Sequence, residues 1–248
     1  MKPSGYTGLP PYSREPGSNG LALDPSGRLT FCEHGDRRVS VLTKNGGKRT
    51  LADHFNGRRL NSPNDLCFDK AGNLYFTDPP YGLPKGPADK DTRELDWNGV
   101  YKVSPEGVIS LLTKEMTFPN GIALSPDEKT LYVAQSDGNA ALWKAFPINP
   151  DGSLGTSRIL ADVTPMAKSG NFKGSCDGLK VDSAGNLWAT GPGGVHIMTP
   201  DGKRLGRIET FLPNGNCCFG DDGSSLYICA DAFLTRIRTK VTGSGFQK

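Results

Sequence analysis

One pattern recurs five times along the chain and limits its fold more than any other feature. The copies are "NGLALDPSGRLTFCE" from Asn19, "NDLCFDKAGNLYFTD" from Asn64, "NGIALSPDEKTLYVAQ" from Asn120, "DGLKVDSAGNLWATG" from Asp177 and "GNCCFGDDGSSLYICA" from Gly215. Each reads as a small polar opening, an alternating apolar strand, a polar turn and a second strand with Leu near its start. Gly27, Gly72, Gly185 and Gly223 share one turn position, where positive φ is expected. The third copy turns through Pro126-Asp127-Glu128-Lys129 and is one residue longer. Further strand-like runs follow each pair, such as "RRVSVLT", "GVYKVSP", "LWKAFPI" and "GVHIMTP". That makes about four strands per unit at roughly 40–50 residues per repeat, the period of a β-propeller. An up-and-down barrel lacks this period. No amphipathic helix of any length is expected.

Composition agrees. The 248 residues include 32 Gly and 19 Pro, which suits many tight turns between short strands. The net charge of +3, from 29 basic and 26 acidic residues, is too small and scattered to point to nucleic acid or an anionic membrane. No apolar run is long enough to cross a bilayer, and the first residues, "MKPSGYTGLPPYSREPG", lack the apolar segment of a signal peptide. Cys32, Cys67, Cys176, Cys217, Cys218 and Cys229 include no CxxC pair, and most lie in apolar runs, where Cys serves as a small hydrophobe. A cytoplasmic location is expected.

Propeller geometry then orders the chemistry. The first strand of a blade lies nearest the central channel, so Asn19, Asn64, Asn120 and Asp177 are expected at one mouth of it. The connections "EHGDRR", "TDPPYG", "QSDGN", "TGPGG" and "ADAF" return to that mouth, and the insertions Gly82–Asn98 and Val163–Cys176 fall there too. Amides and a carboxylate aimed at one point form a hard-cation site of the kind Ca2+ uses, whereas zinc prefers His and Cys. The alternative is that Asn/Asp-Gly is only turn chemistry. Of the three histidines, His34 lies in a mouth-facing loop, His54 reads as a surface residue and His196 as a packed one. No G-x-S-x-G elbow is present.

The stretches "SPNDL" with "YFTDPPYGL", "PNGIALSPDEKTLYVAQSD" and "CDGLKVDSAGNLWATGPGGV" resemble the senescence marker protein / gluconolactonase / luciferin-regenerating enzyme family, its bacterial gluconolactonase branch above all. The resemblance runs from about Gly17 to Arg238. It implies an all-β, six-bladed propeller, of which about five blades are recognisable here. Residues 1–248 would be one domain with the first blade missing. It implies a metal-dependent hydrolase that opens a sugar lactone, with Asn120 and Asp177 as metal ligands and Asp177 as catalytic base. It also implies substrate contacts from Asn64, with Asn19 at the second-blade position in a less defined role. The loop residues Asp78, Tyr81 and Arg37 would cover the substrate, with Trp97 in a lid. The implied cofactor is one divalent ion, Ca2+ first, with Zn2+, Mg2+ or Mn2+ as alternatives. The family's first-blade Glu has no match: Glu15 precedes Pro16-Gly17, a different order, and is not assigned as a ligand. The partner is a small sugar lactone, without nucleic acid or membrane, on a monomer or weak homo-oligomer. The competing reading is a calcium-binding propeller scaffold or an inactive truncated homologue.

Overall fold

The computed structural model describes residues 15–246. It is all-β, built from consecutive antiparallel meanders of the propeller-blade type. The chain divides into two compact units, one ending at Pro119 and one beginning at Asn120.

The first unit holds two four-stranded blades. The first comprises β1 (Ser18–Leu23), β2 (Leu29–Glu33), β3 (Arg38–Leu42) and β4 (Lys48–Ala52) in that order. A two-stranded ribbon, β5 (His54–Phe55) and β6 (Arg58–Arg59), leads to the second blade. That blade comprises β7 (Leu66–Phe68), β8 (Leu74–Asp78), β9 (Gly99–Val103) and β10 (Ile109–Thr113). Cys32, Val39, Leu66, Leu74, Phe76 and Tyr101 form the core between them. Glu33 is buried within the first blade, paired with Arg38 at 2.6 Å and with Lys48, and accepts the Ser40 hydroxyl at 2.7 Å.

The second unit holds β11 (Pro119–Leu124), β12 (Thr130–Gln135), β13 (Leu142–Pro147) and β14 (Arg158–Asp162) as one blade. The next blade is β15 (Leu179–Val181), β16 (Leu187–Gly191), β17 (Gly194–Met198) and β18 (Arg204–Ile208). A three-stranded sheet follows: β19 (Asn214–Gly220), β20 (Ser225–Ala230) and β21 (Phe233–Arg238). Trp143, Cys176, Leu179 and Leu187 pack the first pair of sheets together, and Trp188, Val195, Phe219 and Ile228 the second. His196 is in that interior, 2.9 Å from the Pro192 carbonyl through Nε2, and burial pulls its pKa down to about 4. Among the described residues the helical segments are the short α1 (Thr164–Lys168) and a 3-10 turn at Gly86–Ala88.

The repeat's turn works as its residues suggest. Gly27, Gly72, Gly185 and Gly223 all have φ between 76° and 89°, and in the third copy Glu128 takes that conformation at 58°. Asp24, Asp69 and Asp182 brace three of these turns by accepting the amides of Arg28, Asn73 and Asn186 at 2.8–2.9 Å.

Two cysteines depart from the expectation of buried hydrophobes. Cys32, Cys176 and Cys217 are buried, but Cys218 and Cys229 are exposed, and all six are free thiols. The register sets Cys218 against Tyr227 and Asn216 against Cys229, which puts both exposed thiols on one uncovered face of the sheet. Phe233 and Leu234 are exposed in the same sheet, as are Leu21 and Leu23 along one face of β1 in the first unit. Among the described residues no helix is long and apolar enough to cross a membrane.

Candidate active site

In the second unit the blade openings lie side by side. A Cβ built on Gly121 would stand 2.2 Å from the Asp177 carbonyl oxygen and 2.8 Å from the Gly178 Cα. One built on Gly178 would meet the Asn216 side chain at 2.0 Å, and the Gly178 amide donates to the Gly215 carbonyl at 2.9 Å. Neither glycine has positive φ. The Gly of the Asn/Asp-Gly opening is therefore a spacing residue. It lets the next blade's first strand pass against it, and this brings Asn120 against the Asp177-Gly178 backbone.

Asn120 is buried, and its Nδ2 donates to the Ser136 Oγ at 2.6 Å. The Ser136 hydroxyl in turn donates to the Cys176 carbonyl at 2.7 Å. Asp177 is half-buried, and its amide donates to the Thr190 carbonyl at 3.2 Å. Cys176 is fully buried, and burial pushes its thiol far up, so it is a packing residue rather than a nucleophile. An amide oxygen and a carboxylate on adjacent strand openings are hard donors, which fits a Ca2+- or Mg2+-type ion better than a thiophilic one. Among the described residues there is no group of three or more His, Cys, Asp or Glu placed to hold a metal, so any such ion would also draw on amide, backbone or water oxygens.

In the first unit, Asn64 is buried just before β7. Its amide donates to the Thr77 carbonyl at 2.8 Å, and its carbonyl accepts from Gly20 at 2.7 Å. Its Oδ1 is buried with no hydrogen-bond partner among the described residues, so it is a fixed acceptor in want of a donor. Asn19 is exposed, with Nδ2 at 3.3 Å from His34 Nε2. The His34 ring is buried against Gly82, where an added Cβ would fall 2.4 Å from the His34 Cβ. Tyr81 is half-buried, tilts against Phe118 at 5.6 Å between ring centres, and lines a cavity of about 530 Å3 with Glu15, Leu83, Pro84, Lys85 and Pro87.

Arg37 and Asp78, expected to touch substrate, are both buried and bonded to the protein's own backbone. The Arg37 guanidinium is buried and donates to the Leu60, Asn61 and Thr92 carbonyls at 2.7, 3.1 and 2.9 Å, pinning the loop before β7 to the long insertion. Asp78 is fully buried at the end of β8 and accepts the Asn61 amide at 2.8 Å. Burial lifts its pKa to about 7, against the opposing pull of the Asn61 and Ser62 amides and of Arg37 and Arg93. Trp97, expected in a lid, donates through Nε1 to the Tyr101 hydroxyl at 3.0 Å, and its ring packs edge-on to Phe55.

Sequence reasoning missed Ser136, Ser62 and Asn61. The Ser62 hydroxyl donates to the Pro79 carbonyl and accepts the Gly82 amide at 2.9 Å. The Asn61 Nδ2 donates to the Asp78 and Trp97 carbonyls at 3.1 and 2.9 Å. The usable signal for Ser136 is its place directly after a blade's second strand. An antiparallel neighbour brings that point back beside the first strand's opening.

Comparison with known proteins places the chain in a family. The model of the SMP-30/Gluconolactonase/LRE-like region matches residues 7–231. A gluconolactonase of Zymomonas mobilis is 40% identical over 250 residues, 98% of this chain and 69% of its own. The lactonohydrolase oryL of Aspergillus oryzae is 27% identical across 80% of this chain and 49% of its own, so the chain spans about half of that relative. Among solved structures, a gluconolactonase of Xanthomonas campestris superposes with a TM-score of 0.79 at 34% identity, over 92% of this chain and 72% of that one. A luciferin-regenerating enzyme shares the fold at a TM-score of 0.67 and 18% identity, over 93% and 80% of the two chains. With nearly its whole length matched in this way, the chain belongs to the SMP-30/gluconolactonase/LRE-like family.

Proposed function

We propose that this protein is a lactone hydrolase that opens the ring ester of a sugar lactone with the help of one divalent cation, Ca2+ first among them, held by Asn120 and Asp177. The observation that carries the reading is the pairing of an oriented amide and a carboxylate on touching strand openings of the second unit. Family membership and the 40% identity to a gluconolactonase support the reaction class. A cation bound there supplies Lewis acidity toward the ester carbonyl.

The chain's own residues account for the rest. The Asp177 carboxylate takes a proton from the attacking water as its oxygen bonds to the carbonyl carbon. The ring C–O bond then breaks, and the leaving alkoxide takes back the proton held by Asp177, which restores the carboxylate and gives the open hydroxy acid. Asn120 and Ser136 hold the geometry on one side of Asp177. In the first unit, the buried Asn64 Oδ1 is an acceptor suited to a polyol hydroxyl, and Tyr81 lines a cavity of the same unit. The test is hydrolysis of a sugar δ-lactone after exhaustive chelation. Activity should fall to the uncatalysed rate and return on adding Ca2+. Undiminished turnover in chelator would remove the metal from the account, and a folded, Ca2+-binding chain with no turnover would leave a scaffold.

A further inference from the structure

We propose that Ser136 is a positioning residue that sets which face of the Asn120 amide is presented to the cation. This rests on the metal reading above. The argument follows from hydrogen-bond polarity. The Cys176 carbonyl can only accept, so at 2.7 Å it takes the one proton of the Ser136 hydroxyl. The Ser136 oxygen then has only lone pairs left, so at 2.6 Å it can meet Asn120 only through the amide NH2. The carboxamide cannot flip without setting its oxygen against lone pairs, so Oδ1 stays on the side away from Ser136.

The same hydroxyl also ties down the peptide that leads into Asp177. One side chain thus couples the orientation of both assigned ligands: Asn120 through its amide and Asp177 through the preceding carbonyl. The backbone approach at Gly121 sets their spacing, and Ser136 sets their polarity. Ser136 follows β12 directly and is half-buried, and its hydroxyl is engaged by the Asn120 amide and the Cys176 carbonyl. Residues that orient metal ligands in this way typically change metal affinity by about 10–100-fold when removed.

The experiment compares S136A, and the isosteric pair S136T and S136V, with the wild type. Ca2+ binding is measured by calorimetry, thermal unfolding in metal-free buffer, and sugar δ-lactone hydrolysis across a Ca2+ titration. The expected result is Ca2+ affinity about 10–100-fold weaker in S136A and S136V, with S136T close to wild type. Turnover in the weakened variants should recover at saturating Ca2+, which a loss of fold would not allow. Should S136A fail to fold, the threonine–valine pair still decides, because the two differ in the hydroxyl and not in shape. Wild-type Ca2+ affinity in S136V, or equal losses in S136T and S136V, would overturn the proposal. A wild-type protein that takes up no Ca2+ would overturn the metal reading itself, and this inference with it.

Discussion

Replacing Asp78 by Asn separates a buried structural carboxyl from a substrate contact through its pH dependence. Asp78 is fully buried, and desolvation lifts its pKa from 3.8 to about 7 despite the amides and guanidiniums that face it. In the unfolded chain the group loses its proton near 3.8; in the native chain it keeps it until about 7. Between those values the native state holds more protons, so stability is greatest at low pH and is lost as pH rises through about 7. At about 1.4 kcal/mol per unit, the roughly three-unit interval corresponds to about 4 kcal/mol. Asn keeps an oxygen to accept the Asn61 amide and carries no charge to desolvate. Urea unfolding of wild type and D78N at pH 5, 6, 7 and 8 should show the variant gaining with pH up to about 7 and levelling off above it, by about 2.6 kcal/mol between pH 5 and pH 8, with KM for the lactone unchanged. A stability difference that is the same at pH 5 and pH 8 would refute the raised pKa, and a large rise in KM would return Asp78 to the substrate.

Other perturbations follow from the same geometry. Gly121→Ala places a methyl 2.2 Å from the Asp177 carbonyl oxygen and should destabilise by about 3 kcal/mol or more in chemical unfolding, while Gly138→Ala, with open space around it, should change stability by less than about 0.5 kcal/mol. His196 has the opposite linkage to Asp78. Its pKa, lowered from 6.5 to about 4, gives stability that is present above pH 6.5 and is lost as pH falls through that window. His196→Gln should therefore flatten the acid limb of the stability profile, by about 3 kcal/mol between pH 7 and pH 4.

How much of this was legible beforehand depends on whether the signal repeats. The blades were readable because each copy carries its own strand alternation and its own positive-φ turn residue, down to Glu128 standing where the other copies have Gly. The polar openings were readable as positions, but the role of their glycines was not. The true constraint is the neighbouring strand's backbone against Gly121 and Gly178, a tertiary distance with no local signature. For the same reason the burial of Arg37 and Asp78 was not legible: the carbonyls around the guanidinium and the enclosure of the carboxyl come from tertiary packing, which charged loop residues do not announce. Ser136 was invisible as a single serine, because its importance lies in two partners, one 16 and one 40 residues away.

The central claim is that Asp177, beside an oriented Asn120, performs lactone hydrolysis. Its most direct test is the turnover of Asp177→Ala on a sugar δ-lactone at saturating Ca2+, alongside far-ultraviolet circular dichroism and thermal unfolding. The account predicts a folded variant whose turnover drops to the uncatalysed background and is not restored by added Ca2+. A folded Asp177→Ala protein turning over at the wild-type rate would contradict it.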